Sequence, residues 1–356
     1  MKLFACDHCQ QTLYFENNRC VNCGETQGYA PDLARLAALR DPDDTGAFQI
    51  ERRRYRQCRN TRDHDACNWL VPADSDSEYC ASCALSEVIP DLSIVANDSA
   101  WRRIEAAKRR LLYTLYALGL PVASRAEDPE QGLSFRFLKG TEDTPVMTGH
   151  EHGVITLNVD EADFAFRENM REKMGEGYRT VLGHLRHEIG HYYWDRLVAS
   201  TSLLDSFREI FGDERASYEE ALERHYAQGA PANWGDSFIS AYASMHPWED
   251  FAETWAHYLH MVDTLETAKS HGLTVRAPAA DKPGERIATD RLAFLDFESL
   301  TSGWNAVTLA LNSLNRSMGM KDAYPFVLTA PVTEKLRFVH RLVHAPVLSE
   351  VPAAAA

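Results

Sequence analysis

The chain has 356 residues, 45% of them hydrophobic, and a formal net charge of −15. That is enough apolar material for a sizeable core in two or three domains, while the acidic balance argues against a general nucleic-acid or anionic-membrane role, which calls for a basic surface. No basic leader precedes the first cysteine and no run of about 18 apolar residues occurs, so neither a signal peptide nor a membrane span is expected and the expected compartment is the cytoplasm.

All eight cysteines lie in the first 83 residues. "CDHC" supplies Cys6 and Cys9, and "CVNCG" supplies Cys20 and Cys23, with Gly24 suited to a tight turn after the second knuckle. Two C-x-x-C knuckles can bend four thiolates toward one tetrahedral zinc. The segment between them, "QQTLYFENNR", has the look of a small hairpin. Disulfides would need an oxidising compartment, and a redox pair would need a surrounding βαβ pattern that is missing. Cys58, Cys67, Cys80 and Cys83 make a looser second set, in which His64 could replace Cys58 or Cys67. Both sites are expected to be structural zincs, because four protein ligands leave no position for water or substrate, and so small a segment draws much of its folding free energy from the metal. The basic run "ERRRYRQCRN" at 51–60 is expected to be a solvated segment beside the metal.

Beyond the cysteines the pattern changes. From Asp98 to Leu120, Trp101, Ile104, Leu111, Leu112, Leu115 and Leu118 recur at helical spacing, with Gly119 and Pro121 as stops. "LSFRFL" (133–138) and "GVITLNV" (153–159) have strand composition. Around "HLRHEIGHYYWDRL" (184–197), Leu182, Leu185, Ile189, Tyr192 and Tyr193 share one side of a helix, and His184, His187 and His191 the other. The four-residue spacing of His187 and His191 lets two imidazoles reach one ion, with Glu188 on their flank, placed to touch a water rather than the metal. Two histidines do not make a catalytic zinc site. The histidine six residues on that an extended motif requires is replaced by Leu197, so a later carboxylate is needed. "HPWEDFAETWAHYLH" (246–260) offers it: Phe251, Trp255, Tyr258 and Val262 form an apolar face, and His246, Glu249, Glu253, His257 and His260 the opposite one. Residues 277–290 are expected to form an exposed loop, and the chain from Arg291 to be helical.

The pairing of His187-Glu188-x-x-His191 with Glu249-Asp250-Phe251-Ala252-Glu253 resembles the gluzincin metallopeptidases, lethal-factor-type enzymes included. With its cysteine module followed by "CNWLV", "IPDLS", "AKRRLLYTL" and "EDFAETWAHYLH", the chain resembles a bacterial family of zinc-binding metallopeptidases with an N-terminal zinc ribbon. The resemblance implies an α+β fold: a small zinc-ribbon module with two four-cysteine sites over residues 1–90, then a mainly helical zincin-like domain with a small antiparallel sheet over 91–350. It implies that His187, His191 and Glu249 hold a catalytic zinc, that Glu188 is the general base, and that Glu253 orients a ligand histidine or replaces Glu249 as ligand. Tyr242, seven residues before Glu249, matches a tyrosine that steadies an oxyanion, or is an ordinary packed tyrosine. The function expected is hydrolysis of peptide bonds in a peptide or protein substrate, with "GVITLNV" as a rail for the substrate backbone. The rival reading is a zinc-stabilised protein- or nucleic-acid-binding module with a structural or degenerate histidine site, and hydrolysis of a non-peptide amide would use the same residues. His184 and Asp195 could support the ligands or be solvated, and Glu214 and Glu219 belong to an acidic helix surface.

Overall fold

The structure, a computed structural model, describes residues 1–141, 143–174, 180–275 and 296–345. The loop expected at 277–290 lies outside the described residues.

The first half of the cysteine module is built from two near-identical turns. β1 (Phe4–Ala5) and β2 (Thr12–Leu13) pair antiparallel around the first knuckle. There the Gln10 N–H donates to the Cys6 carbonyl and the Cys6 N–H to that of Gln11. The second knuckle repeats the pattern with Gly24 to Cys20 and Cys20 to Glu25, flanked by an Arg19–Thr26 bridge. The turn needs a left-handed residue after the second cysteine, and Gln10 (φ 62) and Gly24 (φ 79) supply it. Hence "QQTLYFENNR" is not itself a hairpin: its strand, β2, pairs backward across the knuckle.

β3 (Gln27–Ala30) and β4 (Arg35–Ala38) form a second antiparallel pair. β5 (Phe48–Ile50), β6 (Arg53–Gln57) and β7 (Leu70–Pro72) form an antiparallel sheet, with α1 (Arg59–His64) between the last two. Most arginines of the basic run have partners inside the module. Arg53 pairs with Asp32, Arg54 with Asp43, and Arg59 and Arg62 both reach Glu78 at 3.2 Å.

The module is welded to the helical domain. β8 (Ser86–Val88) pairs with β9 (Ser134–Leu138), and a single apolar core takes in Phe15, Tyr29 and Trp69 together with Trp101 and Tyr113 of α2 (Val95–Ala117). Phe15 packs 5.0 Å from both Tyr29 and Tyr113, ring centre to ring centre. A fully buried Glu105–Lys108 pair at 2.9 Å, with Ser86 on the ammonium, ties α2 to β8.

The second sheet runs β10 (Gly149–Glu151), β11 (Val154–Asn158), β9, β8. The class is α+β, but this sheet is mixed rather than antiparallel: β10–β11 is antiparallel, and β11–β9 and β9–β8 are parallel. The 15 residues between β9 and β11 and the 45 residues between β8 and β9, which carry α2, are long enough for such crossovers. The same order corrects the substrate rail: "GVITLNV" is β11, flanked on both sides, and the free edge beside the motif helix is β10.

The remaining helices are α3 (Phe164–Met174), α4 (Val181–Leu197), α5 (Leu204–Phe211), α6 (Tyr218–Gln228), α7 (Pro247–Ser270), α8 (Phe297–Ser317) and α9 (Ala330–His344). Among the described residues no helix is long and apolar enough to cross a membrane.

α4 and α7 carry the motif residues and pack directly on each other. α4 starts where the Thr180 hydroxyl accepts from the Gly183 N–H, and α7 where His246 Nδ1 accepts from the Trp248 N–H with Pro247 in the first turn. Gly190 lets the two backbones approach: a Cβ there would lie 2.9 Å from Ala252 Cα and 3.2 Å from Trp255 Cβ. Gly190→Ala is therefore expected to destabilise the fold by about 1–3 kcal/mol, as overpacking does. A thermal melt checks it, and a melting temperature equal to wild type would mean the helices are not held this close. At the far side, Lys335 of α9 reaches buried Asp250 at 2.6 Å and the Ser237 carbonyl at 2.6 Å, clamping α9 to α7.

Candidate metal centres and catalytic site

The structure gathers the eight cysteines into two sets of four, Cys6, Cys9, Cys20, Cys23 and Cys58, Cys67, Cys80, Cys83. The Sγ–Sγ distances of Cys6–Cys23, Cys9–Cys20 and Cys67–Cys80 are 3.7, 3.6 and 3.7 Å. A disulfide requires about 2.05 Å, whereas four sulfurs each about 2.3 Å from a tetrahedral zinc stand about 3.8 Å apart. The thiols are thus spaced as zinc ligands. Around the second set the N–H groups of Trp69, Cys80 and Cys83 point at Cys67, Cys58 and Cys80 sulfur, as suits thiolates. Buried Arg109 lies close enough to Cys67, Cys80 and Cys83 to offset their charge. His64 joins neither set, its ring packing edge-on against Trp101.

A third set forms between α4 and α7: one atom each from His187, His191 and Glu249, all within 4.8 Å of one another. Glu249 Oε2 lies 2.9 Å from His187 Nε2 and 3.5 Å from His191 Nε2. Although buried against both nitrogens, this oxygen is outside hydrogen-bonding geometry with either. Two imidazole nitrogens 3.2 Å apart and a carboxylate oxygen, all facing one point, fit a bound cation. Glu253 is on the other side of His187, its Oε1 2.7 Å from Nδ1, and its Oε2 accepts from Ser240 Oγ at 2.6 Å. Of the two glutamates, Glu249 reaches the shared point and Glu253 reaches the ring nitrogen facing away from it.

The electrostatics agree. Burial disfavours charge on His187, but the Glu249 and Glu253 carboxylates outweigh it and hold the imidazole well above its ordinary pKa. A site with such a bias calls for positive charge between the carboxylates. His191 is held by packing, its ring centre 3.7 Å from that of Trp248, and its Nδ1 has no hydrogen-bond partner among the described residues. Glu188 is buried beside the cluster, and burial pushes its carboxyl up to about 7.

The cluster opens into a cleft of about 890 Å³. Its polar lining includes His187, Glu188, Glu253 and Tyr242; Val146, Met147, Phe166 and Phe326 are among its apolar walls. Residues 145–148, which lead into β10, run along it. The Tyr242 ring centre is 6.0 Å from that of His187.

Compared with known protein families, residues 97–342 match the family described as "Putative zinc-binding metallo-peptidase". The chain belongs to this family. Residues 3–94 match a zinc-ribbon domain. The family member is similar along almost its whole length to proteins described as uncharacterised from Mycobacterium bovis and from two strains of Mycobacterium tuberculosis, each 45% identical over 345 residues, or 96% of this chain and 95% of the relative. No solved structure matches it.

The other polar residues noted in the sequence of this zinc-binding metallopeptidase family member join none of the three ligand sets. His246 is the α7 cap, its Nε2 3.1 Å from the Ala216 carbonyl. His257 and His260 line the cleft, His257 Nδ1 2.8 Å from the Tyr324 hydroxyl and His260 Nδ1 2.6 Å from Arg186. His184 Nδ1 is 3.5 Å from Glu161 Oε2, and Asp195 is 4.0 Å from His150. Glu214 pairs with Arg208, and Glu219 is exposed. Sequence reasoning missed Ser240, Trp248 and Tyr218, the last of which donates to Glu249 Oε1 at 2.8 Å. Trp248 could have been suspected from its place beside Glu249. Nothing in the sequence marks Tyr218.

Proposed function

We propose that this chain is a gluzincin-like zinc endopeptidase, a reading carried by the convergence of His187 Nε2, His191 Nε2 and Glu249 Oε2 beside a buried Glu188. These three atoms would hold a catalytic zinc, and the eight cysteines would hold two structural ones. Zinc, when bound, supplies Lewis acidity toward a carbonyl oxygen and makes water a better acid. Glu188 takes the proton of the attacking water onto its carboxylate and hands it to the nitrogen of the departing amine. Burial suits it to both acts, since it raises the carboxyl above its ordinary range and so favours release as well as uptake of a proton. Glu253 accepts the Nδ1–H of His187 and so keeps Nε2 unprotonated and aimed at the site. Tyr242, in the cleft wall, steadies the oxyanion of the tetrahedral adduct.

The cleft supports an extended polypeptide as substrate. Its walls are apolar, and Lys139, the one lysine or arginine among its described lining residues, is already paired with Asp160. Glu161 and Glu253 add negative charge inside. Zinc-loaded protein incubated with a peptide library is expected to produce internal cleavages, with apolar residues enriched and Asp and Glu depleted beside the cut. New termini read by mass spectrometry check this. A library left intact, or cleaved without regard to side chain, would count against the reading. The binding-module alternative finds no support in the basic run, whose Arg53, Arg54 and Arg59 are engaged by the module's own carboxylates.

A further inference from the structure

The two oxygens of Glu249 have different surroundings. Oε2 faces His187 and His191, whereas Oε1 accepts the 2.8 Å hydrogen bond from the Tyr218 hydroxyl. Tyr218 opens α6, which comes from the segment between the two ligand helices and buries only Ala221. Its ring sits edge-on against His246 and Trp248, centroids 5.4 and 6.1 Å away, so the hydroxyl is fixed in direction. The terminal torsion of a glutamate is broad and nearly free. Without a partner on Oε1, the carboxylate can turn both oxygens toward a cation, and a carboxylate that binds through two oxygens fills the position that a catalytic zinc keeps open.

We propose that Tyr218 is a positioning residue that holds Glu249 to ligation through one oxygen and thereby keeps a coordination position free for water or substrate. This rests on the ligand set proposed above. Tyr218 touches the Glu249 carboxylate and also neighbours the Tyr242 hydroxyl, so the metal spectrum rather than turnover alone reads its effect on Glu249.

The test is the visible spectrum of cobalt(II) in the third site of the full chain, with zinc left in the cysteine sites and the His187→Ala spectrum subtracted. Four-coordinate cobalt(II) absorbs more strongly than five- or six-coordinate cobalt(II). Wild type is expected to show the intense band, and Tyr218→Phe a weaker, displaced band at the same metal content, with kcat lowered roughly 10- to 100-fold as for other groups that orient ligands. An unchanged band in Tyr218→Phe overturns the proposal. His225→Ala is the control for loosening of α6, because His225 reaches Tyr242 from the same helix, ring centres 5.8 Å apart, without contacting Glu249. A spectral change as large in His225→Ala as in Tyr218→Phe would mean that helix anchoring is responsible, and also overturns it. Loss of fold is read separately by circular dichroism and by the two cysteine-bound zincs. If wild type shows no band above His187→Ala, the ligand set itself is wrong, a failure distinct from the first.

Discussion

Glu188→Gln is expected to leave metal content unchanged and to lower peptide hydrolysis by roughly 10²- to 10⁴-fold, the contribution of a positioned general base. In barrier terms that is about 3–5 kcal/mol. The amide fills the same volume in the buried site, so packing against α7 is kept, but it cannot take a proton from water. Glu188 belongs to none of the three candidate ligand sets, which is why turnover and metal binding should separate. The decisive comparison is the rate of cleavage of one identified peptide by wild type and variant at equal zinc content. A variant within a few-fold of wild type would remove Glu188 from the mechanism, and peptide binding that persists without cleavage would match the expectation.

His187→Ala should act on the opposite quantity. Freshly purified protein is expected to carry three zincs per chain and the variant two, because the cysteine sets lie in the N-terminal module and share no ligand with the third. The variant should also be less stable. Buried Glu249 and half-buried Glu253 both face the imidazole, and deleting it leaves the two carboxylates without the group that lies between them. Breaking buried pairs of this kind costs on the order of 3 kcal/mol. Elemental analysis and a thermal melt read the two effects independently. Three zincs in the variant would disprove the ligand set, and two in both proteins would leave only the cysteine sites occupied.

The parts of this molecule that sequence made legible are those in which one element carries its own pattern. The first two C-x-x-C knuckles are local turns, and the backbone hydrogen bonds that close them run between residues at most five apart. The i, i+4 histidines of α4 face one way because a helix requires it. The apolar residues of α2 and α4 mark buried faces, and Trp101, Leu111, Leu185 and Ile189 are all inside. The wheel left one thing open. It set the histidine face of α4 opposite the apolar stripe without showing what covers it, and Arg186, His187, Glu188 and His191 are buried as well, because α7 packs on α4. Strand pairing was beyond the sequence for a related reason. "GVITLNV" has the composition of a strand in any position, and only the arrangement β10-β11-β9-β8 makes it an interior one.

Sequence by itself determined the chemistry available: eight thiols in two sets, two imidazoles and a carboxylate on one helix, and two more carboxylates on another. These come from covalent order and helical periodicity, which act over a few residues. Tertiary structure decided how they are shared out. It brought Glu249 to the histidine Nε2 atoms and Glu253 to the far nitrogen of His187, a distinction of a few ångströms set by the Gly190 contact between two helices about 60 residues apart. It also brought Tyr218 onto Glu249 from a helix with no motif of its own. Reach between side chains on different elements depends on crossing and separation of the helices, and those are properties of the packed core rather than of any stretch of the chain.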